Sequence, residues 1–188
     1  MIKVTSIGNY NWSSETFNTW DATTKPHIYK TLNNGYYNSL ETTWQNLIAD
    51  ATWQVGGVSY EDVNNNPVKI TYNYEVGINQ IGYKEVMKIG LIYISEYGFA
   101  SSPETWTTNM GSLNDITNNW MHIGLNEWTI SKYLDDLGHA WYIGANGFLI
   151  PDGTVATEYY AVRPTFYLTP NVTYIPGDGS QQNPFRIA

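Results

Sequence analysis

The chain has no cysteine. That absence excludes disulfides, thiol nucleophiles and Cys-ligated zinc, while leaving the cellular compartment open. Charge is scarce too: 14% of the 188 residues are charged, with nine Lys and Arg against seventeen Asp and Glu, for a net charge of −8. Phosphate recognition needs clustered cations and none is visible, which argues against nucleic acid or an anionic membrane as the partner. Long apolar runs are also missing. The longest, "IGLIYIS" at 89–95, is far too short to cross a bilayer, and no signal peptide opens the sequence. The only histidines are His27, His122 and His139, and none lies in a nucleophile motif such as Gly-x-Ser-x-Gly.

What the chain has in quantity is aromatic surface: sixteen tyrosines, eight tryptophans and five phenylalanines. Such rings fill cores and strands, and their polar rims also suit binding surfaces. Hydrophobic content of 42% is ordinary for a folded protein, and the length suits one domain spanning 1–188. The wealth of Asn, Thr, Ser, Tyr and Gly fits a hydrated, extracellular setting.

The pattern predicts a short first strand in "MIKVTSIGNYNW" and then a helix from about Lys25 to Leu32, stopped by the Asn33-Asn34-Gly35 turn signal. A second helix is expected from Leu40, with Leu40, Trp44, Leu47, Ile48 and Ala51 on one face. This gives a helical part at about 20–55. A loop-rich β part over about 56–188 follows, with "TWQVGG", "VKITYNYEVG" and "KIGLIYISEYG" read as its first strands and Asn64 to Pro67 as a loop. Residues 100–120 read as a long loop. The last third reads as the short strands "LNEWTIS", "HAWYIG", "GFLIP", "YYAVRPTFYL" and "PFRIA", with turns at "GANG", "PDG" and "PGDGSQQNP". One of these strands is odd: "YYAVRPTFYL" carries Arg163 and Pro164 in its middle, although proline lacks a ladder donor and arginine is rarely buried unpaired.

The stretches "TWDATTKPHIYKTLNNGYYNSL", "LIADATWQVGG", "KIGLIYISEYGFASSP", "NNWMHIGLNEWTIS", "AWYIGANGFL", "AVRPTFYL" and "GDGSQQNPFRI", in that order, resemble an uncharacterised family of secreted or surface-attached proteins of Gram-positive bacteria. Some of its members carry a pilin-like N-terminal anchor. The strand order and the Arg-Pro strand are also similar to the C-type lectin-like fold, which includes formylglycine-generating enzymes. These resemblances imply an α+β domain with two helices packed beside small antiparallel sheets and long loops. They also imply attachment to the cell surface and self-assembly through an anchor outside this chain. On this reading Arg163 points into the fold and pairs with a carboxylate on a neighbouring strand, Glu127 beside Trp128 being the first choice, and Pro164 marks a bend or an unpaired edge. An arginine that binds an anionic ligand is the functional alternative.

Catalytic and metal chemistry finds little support. His139 near Asp135 and Asp136 could form a metal site or an acid/base pair, and a solvated polar loop is the plainer reading. "PDG" and "PGDGS" resemble pieces of calcium loops without the regular acidic spacing of an EF-hand, so calcium is not supported by a motif and no cofactor is expected. Formylglycine-generating activity would need cysteines that are absent. The leading expectation is a non-enzymatic, surface-displayed binding or adhesion domain holding a glycan or protein ligand. Its predicted contact residues are Tyr133, Asp135, Asp136, His139, Trp141, Tyr142, Asn146 and Tyr159. A structural head domain of a pilus-like or surface-layer subunit and a hydrolase with a divergent site are the alternatives.

Overall fold

The computed structural model describes residues 1–80, 82–177, 183 and 186–187. It is a mixed α+β architecture, and its helices are short. Strand β1 is Asn9–Tyr10. Helix α1, His27–Tyr29, then runs without a break through a π-helical stretch, Lys30–Tyr36, into α2, Tyr37–Ser39. The expected stop at Asn33-Asn34-Gly35 is therefore absent. Asn33 is there for another reason: its carboxamide donates to the Ile89 carbonyl at 2.9 Å and accepts from the Lys88 and Ile89 amides at 3.2 and 3.0 Å, serving that backbone as a strand would.

Helix α3, Thr42–Leu47, is shorter than the expected second helix: Trp44 is exposed and Ala51 opens strand β2, Ala51–Gln54. Helices α4, Tyr60–Asn64, and α5, Val68–Glu75, follow, so helical structure is not confined to the first part of the chain. The predicted strand "VKITYNYEVG" is mostly α5. Its buried positions are Val68, Thr71 and Glu75, a helical spacing in which two members are polar, while the apolar Ile70, Tyr72 and Tyr74 face outward. Strands β3, Lys84–Met87, and β4, Ile89–Gly90, precede helix α6, Ile94–Phe99, another helix inside a predicted strand. The buried Glu75 carboxylate accepts the Ile94 and Ser95 amides at 3.0 and 2.9 Å and the Ser131 hydroxyl, so it caps the start of α6. Residues 100–120 contain two single 3₁₀ turns, Pro103–Thr105 and Met110–Ser112.

The last third holds β5, Glu127–Lys132, β6, His139–Ile143, β7, Leu149–Thr154, β8, Tyr160–Ala161, β9, Thr165–Phe166, β10, Tyr174–Ile175, and β11, Arg186–Ile187. Of the predicted "PGDGSQQNP" reversal, residues 178–182 and 184 lie outside the described residues, as do 184, 185 and 188 of "PFRIA". A five-stranded sheet of order β1-β8-β5-β6-β7 forms the centre, antiparallel except where β8 runs parallel to β5. Two-stranded sheets pair β2 with β3, β4 with β9 and β10 with β11. "PDG" is not a turn: Pro151, Asp152 and Gly153 lie within β7, at the sheet edge where a missing donor is tolerated, beside a break in register with β6. Gly153 is required there because a β-carbon would come within 2.5 Å of the Trp128 ring.

The central sheet is buried on both faces. Trp128 and Ile130 belong to a core with Trp12, Trp20, Trp53 and Val162, whereas Trp141, Ile143 and Leu149 pack with Val58, Val68, Ile92, Tyr97 and Met110. Buried indoles find acceptors for their N–H groups: Trp12 reaches the Thr129 carbonyl at 3.0 Å, Trp128 that of Tyr10 at 2.8 Å and Trp141 that of Val58 at 3.1 Å, while Trp20 reaches the Glu85 carboxylate at 3.4 Å.

Arg163 and Pro164 mark the place where the chain leaves one sheet for another. β8 ends at Ala161 in the five-stranded sheet, and β9 begins at Thr165 against Gly90 of β4. Pro164 therefore sits in a connection, where no ladder donor is needed, and its carbonyl accepts the Lys3 amide at 2.9 Å. Arg163 points inward and binds Glu127 with a guanidinium fork, Nε to Oε1 at 2.8 Å and Nη2 to Oε2 at 3.0 Å, both side chains being buried. Nη2 also donates to the Met121 carbonyl at 2.6 Å, tying the preceding loop to the sheet. Burial pushes the Glu127 carboxyl up to about 6, against the opposing pull of the guanidinium.

Candidate functional site

The eight predicted contact residues do not form one face. β5 and β6 pair from Glu127 opposite Ile143 to Lys132 opposite Ala140, so the 133–139 loop and the 144–148 turn lie at opposite ends of that hairpin. A six-residue strand separates them by roughly 17 Å. Tyr133, Asp135, Asp136 and His139 are at one end, and Asn146 and Tyr159 at the other. Trp141 is a correction: it is 1% exposed and belongs to the core, where no ligand can reach it. Tyr142 is half-buried between the ends, its ring 4.5 Å from Tyr160 and 6.0 Å from Trp128.

At the first end the polar groups are committed to the loop's own shape. Asp135 Oδ2 accepts the Tyr60 amide at 2.7 Å, and Asp136 Oδ1 accepts the Gly138 amide at 2.7 Å and lies 3.1 Å from His139 Nδ1. The Gly138 amide, followed by His139, holds the Asp136 carboxyl below its usual value. Buried Asn18 donates to the carbonyls of Tyr133 at 2.9 Å and His139 at 2.6 Å, closing the loop from beneath, and Tyr133 packs edge-on against Trp141. His139 with the two aspartates is thus a loop clasp. Among the described residues no group of three or more His, Asp or Glu side chains is placed to hold a metal.

Beside this loop lies a cleft of about 480 Å³ that the sequence did not reveal, lined by Gly56, Gly57, Asp62, Tyr74, Gln80 and Lys132 among others. The signal for it is the glycine pair. Gly57 has φ +82°, and a β-carbon there would meet the Lys132 carbonyl oxygen at 2.3 Å, so only glycine lets this segment lie against the end of β5 beside the cleft.

The opposite end carries a shallower depression of about 320 Å³, lined by Asn9, Gly124, Leu125, Asn126, Ala145, Tyr159 and Tyr160. None of these side chains is charged. Its frame is rigid: Asn126 Oδ1 accepts the Ala145 amide at 2.8 Å, and the Asn126 carbonyl accepts the Ala161 amide at 2.9 Å. Tyr97 hydroxyl donates to the Gly147 carbonyl at 3.1 Å. The loop before it is held by buried Asn119, which donates to the Tyr97 carbonyl at 2.9 Å and accepts the Met121 amide at 3.0 Å, and by the Arg163 contact to Met121. On this frame Tyr159 is 61% exposed and Trp120, on the held loop, 68%. Leu125, Ile116 and Phe148 are exposed as well, and Ile116 packs at Gly147 of the 144–148 turn. Of the predicted contacts, Asn146 and Tyr159 lie at this end, while Asn9, Leu125 and Asn126 carry no signal in the sequence, because exposed apolar groups and amides in a loop look like any other turn residues.

No family model matches the chain. No curated protein and no solved structure matches it either.

Proposed function

We propose that the chain is a non-enzymatic recognition domain displayed at a bacterial cell surface, and that it holds a neutral glycan in the depression between Asn9, Leu125, Asn126, Ala145 and Tyr159. One observation carries this reading: an uncharged depression bordered by phenol rings and carboxamides, on a backbone held by hydrogen bonds from Asn126, Tyr97 and Asn119. Sugar rings stack on exposed aromatic faces, their hydroxyls pair with amides that both donate and accept, and a fixed frame lowers the ordering cost of binding. The sequence resemblance to surface-attached proteins of Gram-positive bacteria, and to the C-type lectin-like fold, supports the same setting.

The test is a screen of the purified domain against neutral and acidic glycans, with and without calcium, alongside Tyr159→Ala and Trp120→Ala. Calcium-independent binding to neutral glycans, weakened about tenfold or more by Tyr159→Ala with the melting temperature unchanged, is the expected result. Silence across the array from a folded protein, or binding that ignores both substitutions, would overturn the reading.

A further inference from the structure

The Lys132 cleft is separate from the depression just described and lies at the other end of β5. Lys132 is the last residue of that strand and is partly buried, yet among the described residues its ammonium has no hydrogen bond or ion pair. In a chain with nine cations and seventeen acids, this is unusual, since a lysine drawn out of water is ordinarily paired. Burial lowers its affinity for the proton, with Asp21 the acid that opposes this. Asp21 is itself occupied, accepting the Thr23 and Thr24 amides at 2.8 Å each.

The cleft also fixes the lysine in place. A β-carbon at Gly57 would come within 2.5 Å of Lys132 Cγ, so the stem lies directly on bare backbone. On the other wall Gly56 and Gly82 approach so closely that a β-carbon on Gly82 would fall 2.2 Å from the Gly56 Cα. These contacts leave a cleft of about 480 Å³ in which Lys132 is joined by the Asp62 carboxylate, the Asn79 and Gln80 carboxamides and the Tyr74 phenol. Asp62 accepts from the Ser59 hydroxyl at 2.6 Å and makes no ion pair with Lys132.

We propose that this cleft is a second binding site, for an acidic sugar whose single carboxylate pairs with the Lys132 ammonium while its hydroxyls meet Asp62, Asn79 and Gln80. One fixed cation matches one negative charge. A phosphate, with about two charges at neutral pH, would need a cluster of cations and would be repelled by Asp62. The amide and carboxylate lining supplies both donors and acceptors for hydroxyls, which a purely apolar carboxylic acid could not use. The proposal does not depend on the glycan reading of the opposite end.

The experiment is an NMR titration of the amide-labelled domain with glucuronate, with glucose as the uncharged counterpart and N-acetylalanyl-alanine as a peptide carboxylate. It is repeated on Lys132→Met, which keeps the stem and removes the charge. Glucuronate is expected to shift the amides of Gly56, Gly57, Lys132 and Leu134, glucose to leave them in place, and the variant to bind about tenfold more weakly or worse. The variant should melt no lower than the parent, because it loses an unpaired cation, and this separates lost binding from lost folding. Equal shifts with glucose, undiminished binding by Lys132→Met, binding of the peptide in place of glucuronate, or no shift with glucuronate would each overturn the proposal.

Discussion

Arg163 and Glu127 are buried together, and removing either one strands the other's charge. Arg163→Met is therefore expected to cost about 3–5 kcal/mol in urea denaturation, and pairing it with Glu127→Met to recover much of that loss. A double-variant cost equal to the sum of the two single-variant costs would show that the two side chains are not coupled. The pair could be anticipated because an arginine and a proline in an apolar run demand an explanation. Lys132 demanded none, since a lysine at the end of a strand usually reaches water. The buried carboxyls set the pH dependence: Glu75, Glu96 and Glu127 are all pushed up by burial, Glu127 to about 6. Carboxyls with raised values hold protons more tightly in the folded state than in the unfolded one. Their stabilising contribution is present in acid and is lost as the pH rises through the folded-state values. Hydrogen bonds hold Asp21, Asp115 and Asp136 down, so their contribution is lost as the pH falls through their lowered values. The carboxyls thus raise the melting temperature between about pH 7 and about pH 5, opposed there by His122, which burial and Arg163 hold below its ordinary value, and the melting temperature should fall again below about pH 4. A steady decline from neutral pH downward would contradict this assignment.

Among the elements, Asn33 and Gly35 carry the sharpest contrast. As parts of a turn signal they would be comparable, but in the continuous helix they have opposite roles. Asn33→Ala leaves two amides and a carbonyl of the Lys88–Ile89 backbone without their partner and should cost about 2–3 kcal/mol. Gly35 is helical, and a β-carbon there would meet nothing nearer than the Lys30 carbonyl at 3.8 Å, so Gly35→Ala should stabilise by about 0.5–1 kcal/mol. Denaturant midpoints for the two variants shifting in the same direction would refute the account. The strands β2, β5 and β6 were legible because their β-branched and aromatic residues alternate with turn residues. Helix α5 was not, because Thr71 and Glu75 face the core while Ile70, Tyr72 and Tyr74 face outward, the reverse of the pattern that reveals a helix. The buried polar positions make sense only once Thr71 is seen bonding the Asp62 carbonyl at 3.1 Å and Glu75 capping α6. Tertiary partners of this kind lie outside any local window of sequence.

In the whole molecule, β5 and β6 hold two candidate sites apart and bury what lies between them. Alanine at Tyr133, His139 and Tyr142 together would be nearly silent if all three lined an exposed face. Because Tyr133 packs on Trp141 and Tyr142 on Trp128 and Tyr160, the triple variant should instead lose about 2 kcal/mol or more, with His139→Ala alone close to neutral. A thermal melt of each variant separates the two cases. The location of these residues near the last-third turns was visible in the sequence, but which end of the hairpin each would occupy depends on the pairing of β5, β6 and β8. The uncharged depression at the Asn126 end is the proposed glycan-binding face. Its most direct test is an NMR titration with a neutral glycan selected from the array, following every backbone amide at once. Shifts are expected to gather at Asn9, Gly124, Leu125, Asn126, Ala145 and Tyr159, and to need about tenfold more ligand or above in Tyr159→Ala. Shifts centred on the 133–139 loop, or none along the Asn126 end, would contradict it.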